Sequence, residues 1–315
     1  VGDDVFMEDP SVLELEAYAA QLFGKEAALF CSSGTQTNQI AINVHVQPGG
    51  EVICHEESHI YKYEGGGIAK NSGASVRLLD GNRGRLTLDE IEKWINPKMD
   101  VHFPLTQLIS LEDTANRGGG SIYDFNEIIK IRDFCLKNNL PLHLDGARLF
   151  NSLVETRIDY KNYAANFDSM SICLSKGLGA PVGSIMLSTK ERVAKARVWR
   201  KRYGAGMRQI GLLAAGAHYA LDNNIDRLDE DHRRAQELAR AIAAIDSSLI
   251  DPTTVHTNIV GLDLAALPIT AAELAARCKD AGLWISALGP KYARLVTHLD
   301  FDDAQCAEAI EILKK

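Results

Sequence analysis

Between Ala27 and Leu187 short apolar runs alternate with helix-like stretches, and this alternation limits the chain to few architectures. The runs Ala27–Cys31, Glu51–Cys54, Ser75–Leu79, Gln107–Glu112, Pro141–Leu144, Ser169–Leu174 and Ser184–Leu187 read as strands, being short, apolar and bounded by Gly, Pro or polar turns. Helical spacing covers Gln36–Val46, Leu88–Ile95 and Asp124–Lys137, while Ser11 is expected to cap a helix that runs to Phe23 and stops at Gly24. Such alternation implies an α/β fold with a mainly parallel sheet covered by helices on both faces. A long helical region from Thr189 to about Leu221, broken near Tyr203-Gly204-Ala205-Gly206, closes this part. After Asn223-Asn224 the pattern resets to a helix ending at Ile245, a strand near 258–264, a helix from Ala271, strands near Trp284 and Arg294–Thr297, and a terminal helix. The chain is therefore expected to hold a large domain, 1–222, and a smaller α/β domain, 223–315.

Composition narrows the partners. The 315 residues carry a net charge of −8 and a pI near 5.6, with 46% hydrophobic and 24% charged residues, and no basic run interleaved with aromatics points to nucleic acid. The densest basic stretch, Arg197 to Arg208, reads as a solvated helix face or as a contact for a small anion. No apolar stretch approaches the ~18 residues needed to cross a bilayer. Six cysteines without a C-x-x-C pair read as reduced thiols of a cytoplasmic protein. Neither nucleic acid nor a membrane is expected as a partner.

His55-Glu56-Glu57-Ser58-His59 matches the zinc-protease pattern H-E-x-x-H. That pattern needs a helix to put both imidazoles on one face. Here it directly follows the strand Glu51–Cys54 and precedes Gly65-Gly66-Gly67 in what reads as a loop, so no metal is expected and His55 reads as a solvated strand-end residue.

Four other signals fall at strand ends. Ser32-Ser33-Gly34-Thr35 lies between a strand and a helix, where free N–H groups either are capped or hold an anion. Asp145, in His143-Leu144-Asp145-Gly146, ends an apolar strand, where open α/β sheets bind ligands and where a carboxylate also caps helices. Lys176 follows another strand in Leu174-Ser175-Lys176-Gly177-Leu178-Gly179, and Arg294 lies in a late strand of the small domain. Each alone has an ordinary surface or capping explanation. Together they supply an anion cradle, a carboxylate and an amine able to form an imine, which is what pyridoxal phosphate requires.

SSGTQTN, SHIYKYEGGG, HLDGARLFN, SICLSKGLGAPVGS, GAGMRQ and RLVTHLD together resemble the threonine aldolase family, in the family's order and over nearly the whole chain. The resemblance implies fold type I of the pyridoxal 5'-phosphate enzymes and a carbon–carbon lyase that cleaves L-threonine, L-allo-threonine and related β-hydroxy-α-amino acids to glycine and an aldehyde. A β-eliminating lyase or an amino-acid racemase of the same fold is the alternative. It implies Lys176 as the residue that bonds the cofactor aldehyde, Asp145 as partner of the ring nitrogen, and Gly34 with Thr35 as phosphate donors. His59 would stack on the ring, Arg148 would hold the ring oxygen or substrate, Arg294 would clamp the substrate carboxylate, and Arg208 would reach the phosphate across an interface in a dimer or homotetramer. Ala115 stands where some members carry a histidine, on the expected cofactor side of the sheet, so weak discrimination between the two threonine diastereomers is expected. Because the chain opens on Val1 rather than Met, preceding residues are expected, among them the Ser-, Asp- and Thr-rich segment with which the family contacts substrate.

Overall fold

The apolar runs become strands, and in the computed structural model, which describes residues 1–314, ten of them form two sheets: β1 (Ala27–Cys31), β2 (Glu51–His55), β3 (Ser75–Leu79), β4 (Thr106–Glu112), β5 (Leu142–Gly146), β6 (Ser169–Cys173), β7 (Ser184–Ser188), β8 (Ile259–Asp263), β9 (Ser286–Ala287) and β10 (Tyr292–Val296). The first seven form one sheet in the order β1-β7-β6-β5-β4-β2-β3. Every pairing in it is parallel except those of β7, which runs against both β1 and β6. The residues of β2, β5, β6 and β7 are all buried, as in strands covered on both faces, so the polar members of β5 and β6, His143, Asp145, Ser169 and Ser171, lie inside the fold. The three remaining strands form an antiparallel sheet, β8-β10-β9. This is the expected α/β architecture, a mainly parallel sheet with a smaller α/β part after it.

Helix α1 (Pro10–Phe23) is capped two residues before the expected Ser11: Asp9 accepts from the N–H groups of Ser11 and Val12, with Pro10 in the first turn where a missing N–H costs nothing. Helix α2 (Gly34–His45) packs over β6 and β7. Where a loop was expected around the glycine run there are two short helices, α3 (His59–Lys62) and α4 (Gly67–Ser72). The helix expected over Leu88–Ile95 stops at Glu92.

One apolar core lies around the large sheet and a second, from Ala235 to Ala309, around the small one. We propose the division near residue 222 on that basis. The helix Leu228–Ile245 crosses between the two, with Leu228 in the first core and Leu238 and Ile242 in the second.

Candidate active site

Strands β1, β2, β4, β5 and β6 all point the same way, so the residues that follow them gather along one edge of the sheet. Ser184, at the start of β7, pairs with both Cys31 and Cys173. This brings the start of α2 over β6: a Cβ added at Gly34 would lie 2.7 Å from Cys173 Sγ. Ser33 caps the helix through Gln36 N–H, at 3.2 Å, and the N–H groups of Gly34 and Thr35 are left without a protein acceptor among the described residues. These two open N–H groups lie where the sequence led us to expect an anion cradle, with Thr35 open to solvent.

Asp145, buried at the end of β5, accepts from Ala147 N–H at 3.2 Å and from Asn38 Nδ2 at 2.9 Å. The same Asn38 nitrogen lies 2.9 Å from Glu64 Oε1, and Glu64 Oε1 is 3.0 Å from His59 Nδ1. Gln39 also donates to Glu64, at 2.5 Å. The bond to Glu64 raises the proton affinity of His59 above that of an ordinary imidazole, against the effect of burial, and the Asp145 charge adds to it. Beneath His59, Glu112 at the end of β4 accepts its backbone N–H at 2.6 Å and that of Asn116 at 2.8 Å. Burial, and then the Asp145 charge, push the Glu112 carboxyl up to about 7.

The cations are arranged differently. Lys176 is half-buried in the loop after β6 and Arg148 is half-buried at the start of the helix Leu149–Thr156, and neither has a hydrogen-bond acceptor or ion-pair partner among the described residues. Burial, aided by the Arg294 charge, lowers Arg148 to about 10. Arg294, on β10 of the small sheet, donates Nη1 to Asn116 Oδ1 and keeps a buried Nε without an acceptor. Arg208 is not brought to the cradle of its own chain: it is exposed, pairs with Asp3 (Nε–Oδ2 2.5 Å) and lies over the Phe6 ring at 5.2 Å.

The HEESH segment spans a strand end, a turn and the first residue of α3, so His55 and His59 share no helix face. His55 is buried rather than solvated. Its Nδ1 accepts from Glu57 N–H at 3.0 Å, and its buried Nε2 has no hydrogen-bond partner among the described residues. Ligand atoms of His59, Glu64 and Asp145 do lie within 4.8 Å of one another, but the Asn38 amide nitrogen bridges the two carboxylates, so a hydrogen-bond donor stands beside the oxygens that would have to turn to a cation. Ala115 is buried, and its methyl lies 2.4 Å from where a Gly84 Cβ would be, packed on the turn at Asn82–Arg85. It fills space there.

Sequence reasoning passed over Asn38, Glu64, Glu112 and Asn116. Asn38 and Gln39 are buried just before the apolar Ile40-Ala41-Ile42 of α2, and Glu112 ends the apolar stretch Leu108–Leu111 with a carboxylate; polar groups beside apolar stretches were the available signal.

Residues 1–265 match the pattern of the beta-eliminating lyase family. A probable low-specificity L-threonine aldolase 2 from Arabidopsis thaliana is 39% identical over 319 residues, covering 100% of this chain and 90% of that one. A low specificity L-threonine aldolase from Escherichia coli is 40% identical over 309 residues, 98% of this chain and 90% of its own. A solved threonine aldolase from Leishmania major superposes with a TM-score of 0.83 at 24% identity, over 98% of this chain and 90% of that one. Its sheet is that of the type I pyridoxal phosphate enzymes, and with its first 265 residues matching the family pattern and about 40% identity to relatives over nearly its whole length, this chain belongs to the beta-eliminating lyase family.

Proposed function

We propose that the chain is a pyridoxal-phosphate-dependent lyase that cleaves L-threonine, L-allo-threonine and related β-hydroxy-α-amino acids to glycine and an aldehyde, as the names of its relatives suggest. Lys176 carries the reading: it is a half-buried amine with no protein partner among the described residues, in the loop after β6 and one strand away from Asp145 on β5.

The residues fit the cofactor. The side-chain-free Gly34 and the two open N–H groups of α2 suit its phosphate, Asp145 its ring nitrogen, and the unpaired Arg148 its ring oxygen or the substrate. When bound, pyridoxal phosphate supplies an aldehyde for the lysine and a ring that takes up the electron pair of the broken Cα–Cβ bond.

The chain's own part divides among four side chains. Arg294, with its buried Nε lacking an acceptor, binds the substrate carboxylate and fixes the orientation of Cα. Asp145, held as an acceptor by Asn38 and Ala147, keeps a proton on the ring nitrogen. His59 donates its Nδ1–H in a hydrogen bond to Glu64, which leaves Nε2 to take the β-hydroxyl proton. Lys176, as an ammonium carrying the proton shed by the substrate amine, would supply the proton that Cα needs.

Incubation with L-threonine and pyridoxal phosphate, followed by reduction of the released acetaldehyde by alcohol dehydrogenase and NADH, tests this directly. No aldehyde from a folded, cofactor-loaded protein would refute it. The description of the family favours one second reading, a β-eliminating lyase or racemase built on the same Lys176 and Asp145. Pyruvate from L-serine, or racemisation of L-alanine, without aldehyde would select it. We also propose a cytoplasmic homo-oligomer, dimer or homotetramer. Six buried free cysteines support the compartment, and the position of Arg208, outside its own cradle, supports the oligomer. No described helix is long and apolar enough to cross a membrane.

A further inference from the structure

A hydrogen-bond chain runs through the large domain beneath the site, and the donors and acceptors along it can be assigned without seeing a proton. Asn38 Nδ2 lies 2.9 Å from Asp145 Oδ2 and 2.9 Å from Glu64 Oε1, and carboxylate oxygens only accept, so this atom is the amide nitrogen and Oδ1 must face the other way. There it meets His143 Nε2 at 3.2 Å, which must then carry the proton. His143 Nδ1 is left to accept from Ser169 Oγ at 2.8 Å, and Ser169 in turn accepts from His45 Nε2 at 2.9 Å. Burial keeps both imidazoles neutral, His45 falling to about 4 and His143 to about 3, which fits one proton on each. The orientation of the Asn38 amide is therefore fixed from both sides.

We propose that Asn38 is a positioning residue whose single amide nitrogen ties Asp145 to Glu64, so that one side chain sets both the carboxylate under the cofactor nitrogen and, through Glu64, the imidazole over the ring. Two carboxylates this close in a buried site repel unless a donor stands between them. The two hydrogens of the Asn38 amide answer both at once. With both charges kept, Asp145 faces the ring nitrogen and Glu64 holds His59 Nδ1 at 3.0 Å. The proposal rests on the cofactor reading above for its catalytic meaning, but not for its test.

The groups facing His59 are Glu64 and Asp145, Glu112 under its backbone nitrogen, the Lys176 ammonium and the Tyr63 ring at 5.6 Å. Glu64 and Asp145 both favour its protonated form and Lys176 opposes it. Its titration therefore reports whether both carboxylates stay ionised. The measurement is ¹⁵N–¹H NMR of histidine-labelled full-length protein, with the His59 signal identified by His59→Gln, before and after addition of pyridoxal phosphate.

Asn38→Leu is nearly isosteric and admits neither donor nor water, so one carboxylate should take up a proton and the His59 midpoint should fall by roughly one pH unit, a tenfold loss of proton affinity. Asn38→Ala leaves space for a water, which brings two donors of its own, and should stay within a few tenths of wild type. An unchanged or raised midpoint in folded Asn38→Leu overturns the proposal. If that variant does not fold, Glu64→Gln decides the matter: the midpoint should fall by a similar amount, and an unchanged value overturns it. A wild-type protein that shows the expected midpoints yet binds no pyridoxal phosphate would sink the cofactor reading alone.

Discussion

Gly34→Ala adds one methyl group to the cradle and should weaken cofactor binding. The backbone there is ordinary helix, so alanine meets no conformational penalty, and the effect is purely one of contact. The new Cβ would lie 2.7 Å from Cys173 Sγ, about 1 Å inside the 3.5–4.0 Å at which heavy atoms attract. Cys173 cannot simply step aside, since it is buried at the end of β6 and takes a hydrogen bond from Ser184 Oγ at 3.2 Å. Forcing one extra carbon into a packed place costs about 1–3 kcal/mol. In the free protein the first turn of α2 can relax away from β6, but the N–H groups of Gly34 and Thr35 then leave the place where they would meet phosphate. The cost therefore falls on binding, at roughly 5- to 150-fold in Kd. Titrating the variant with pyridoxal phosphate by visible absorbance, with Tm recorded beside it, measures both parts. Removing the obstructing sulfur in Gly34→Ala/Cys173→Ala should restore most of the affinity, because the two sites are coupled by contact. Wild-type affinity in Gly34→Ala, or no recovery in the double variant, would refute the reasoning.

Lys176→Ala should abolish the visible absorbance of the loaded protein, whereas Asp145→Asn should retain cofactor and lose most turnover; a spectrum and one rate for each decide this. EDTA should leave the rate unchanged. His59→Ala should cost far more activity than His55→Ala, whose effect should appear as a lower Tm because His55 is buried. Ala115→His should lower Tm without changing the threo/allo ratio of kcat/KM, because its side chain would meet the turn at Gly84; an altered ratio at unchanged Tm would put the residue back in the substrate site. Glu112→Gln should gain stability relative to wild type as pH rises from 5 to 8. The folded carboxyl titrates near 7 and the unfolded one near 4.5, so wild type loses stability across that window, by up to about 3 kcal/mol, and the variant does not. Paired melting curves at several pH values check the sign.

The strands were legible because each is a short stretch with apolar residues between polar or glycine turns, and β1 and β3 end where that stretch gives way to Ser32 and Asp80. The reversed direction of β7 was not legible, since five buried residues read alike in either direction. Helices α3 and α4 were missed because glycines and tyrosines there signal a turn, and packing against α2 and β3 overrides that local preference. Asp145, Lys176 and Arg294 were found because each interrupts or ends an apolar segment with a charge. Asn38 and Glu64 were passed over because they matter only through partners 107 and 26 residues away from Asn38, which no local pattern encodes. Arg208 was expected to reach a small anion, and its partner within the chain is the Asp3 carboxylate.

Because β7 runs antiparallel to β6, the segment that carries Lys176 is a closed hairpin rather than a free crossover. Leu174 N–H donates to Gly183 O at 3.0 Å, Ala180 N–H to Leu174 O at 3.0 Å and Gly179 N–H to Lys176 O at 2.9 Å, so the backbone on both sides of the lysine is already immobile. An amine on a loose loop would have to surrender about 1–2 kcal/mol of backbone entropy per residue when it captures a carbonyl compound, in addition to up to about 2 kcal/mol for its own side chain. Here only the side-chain part is left to lose. The reversal of one strand thus spares the reaction an entropic toll at each exchange between lysine and substrate amine, because the chain settled it on folding.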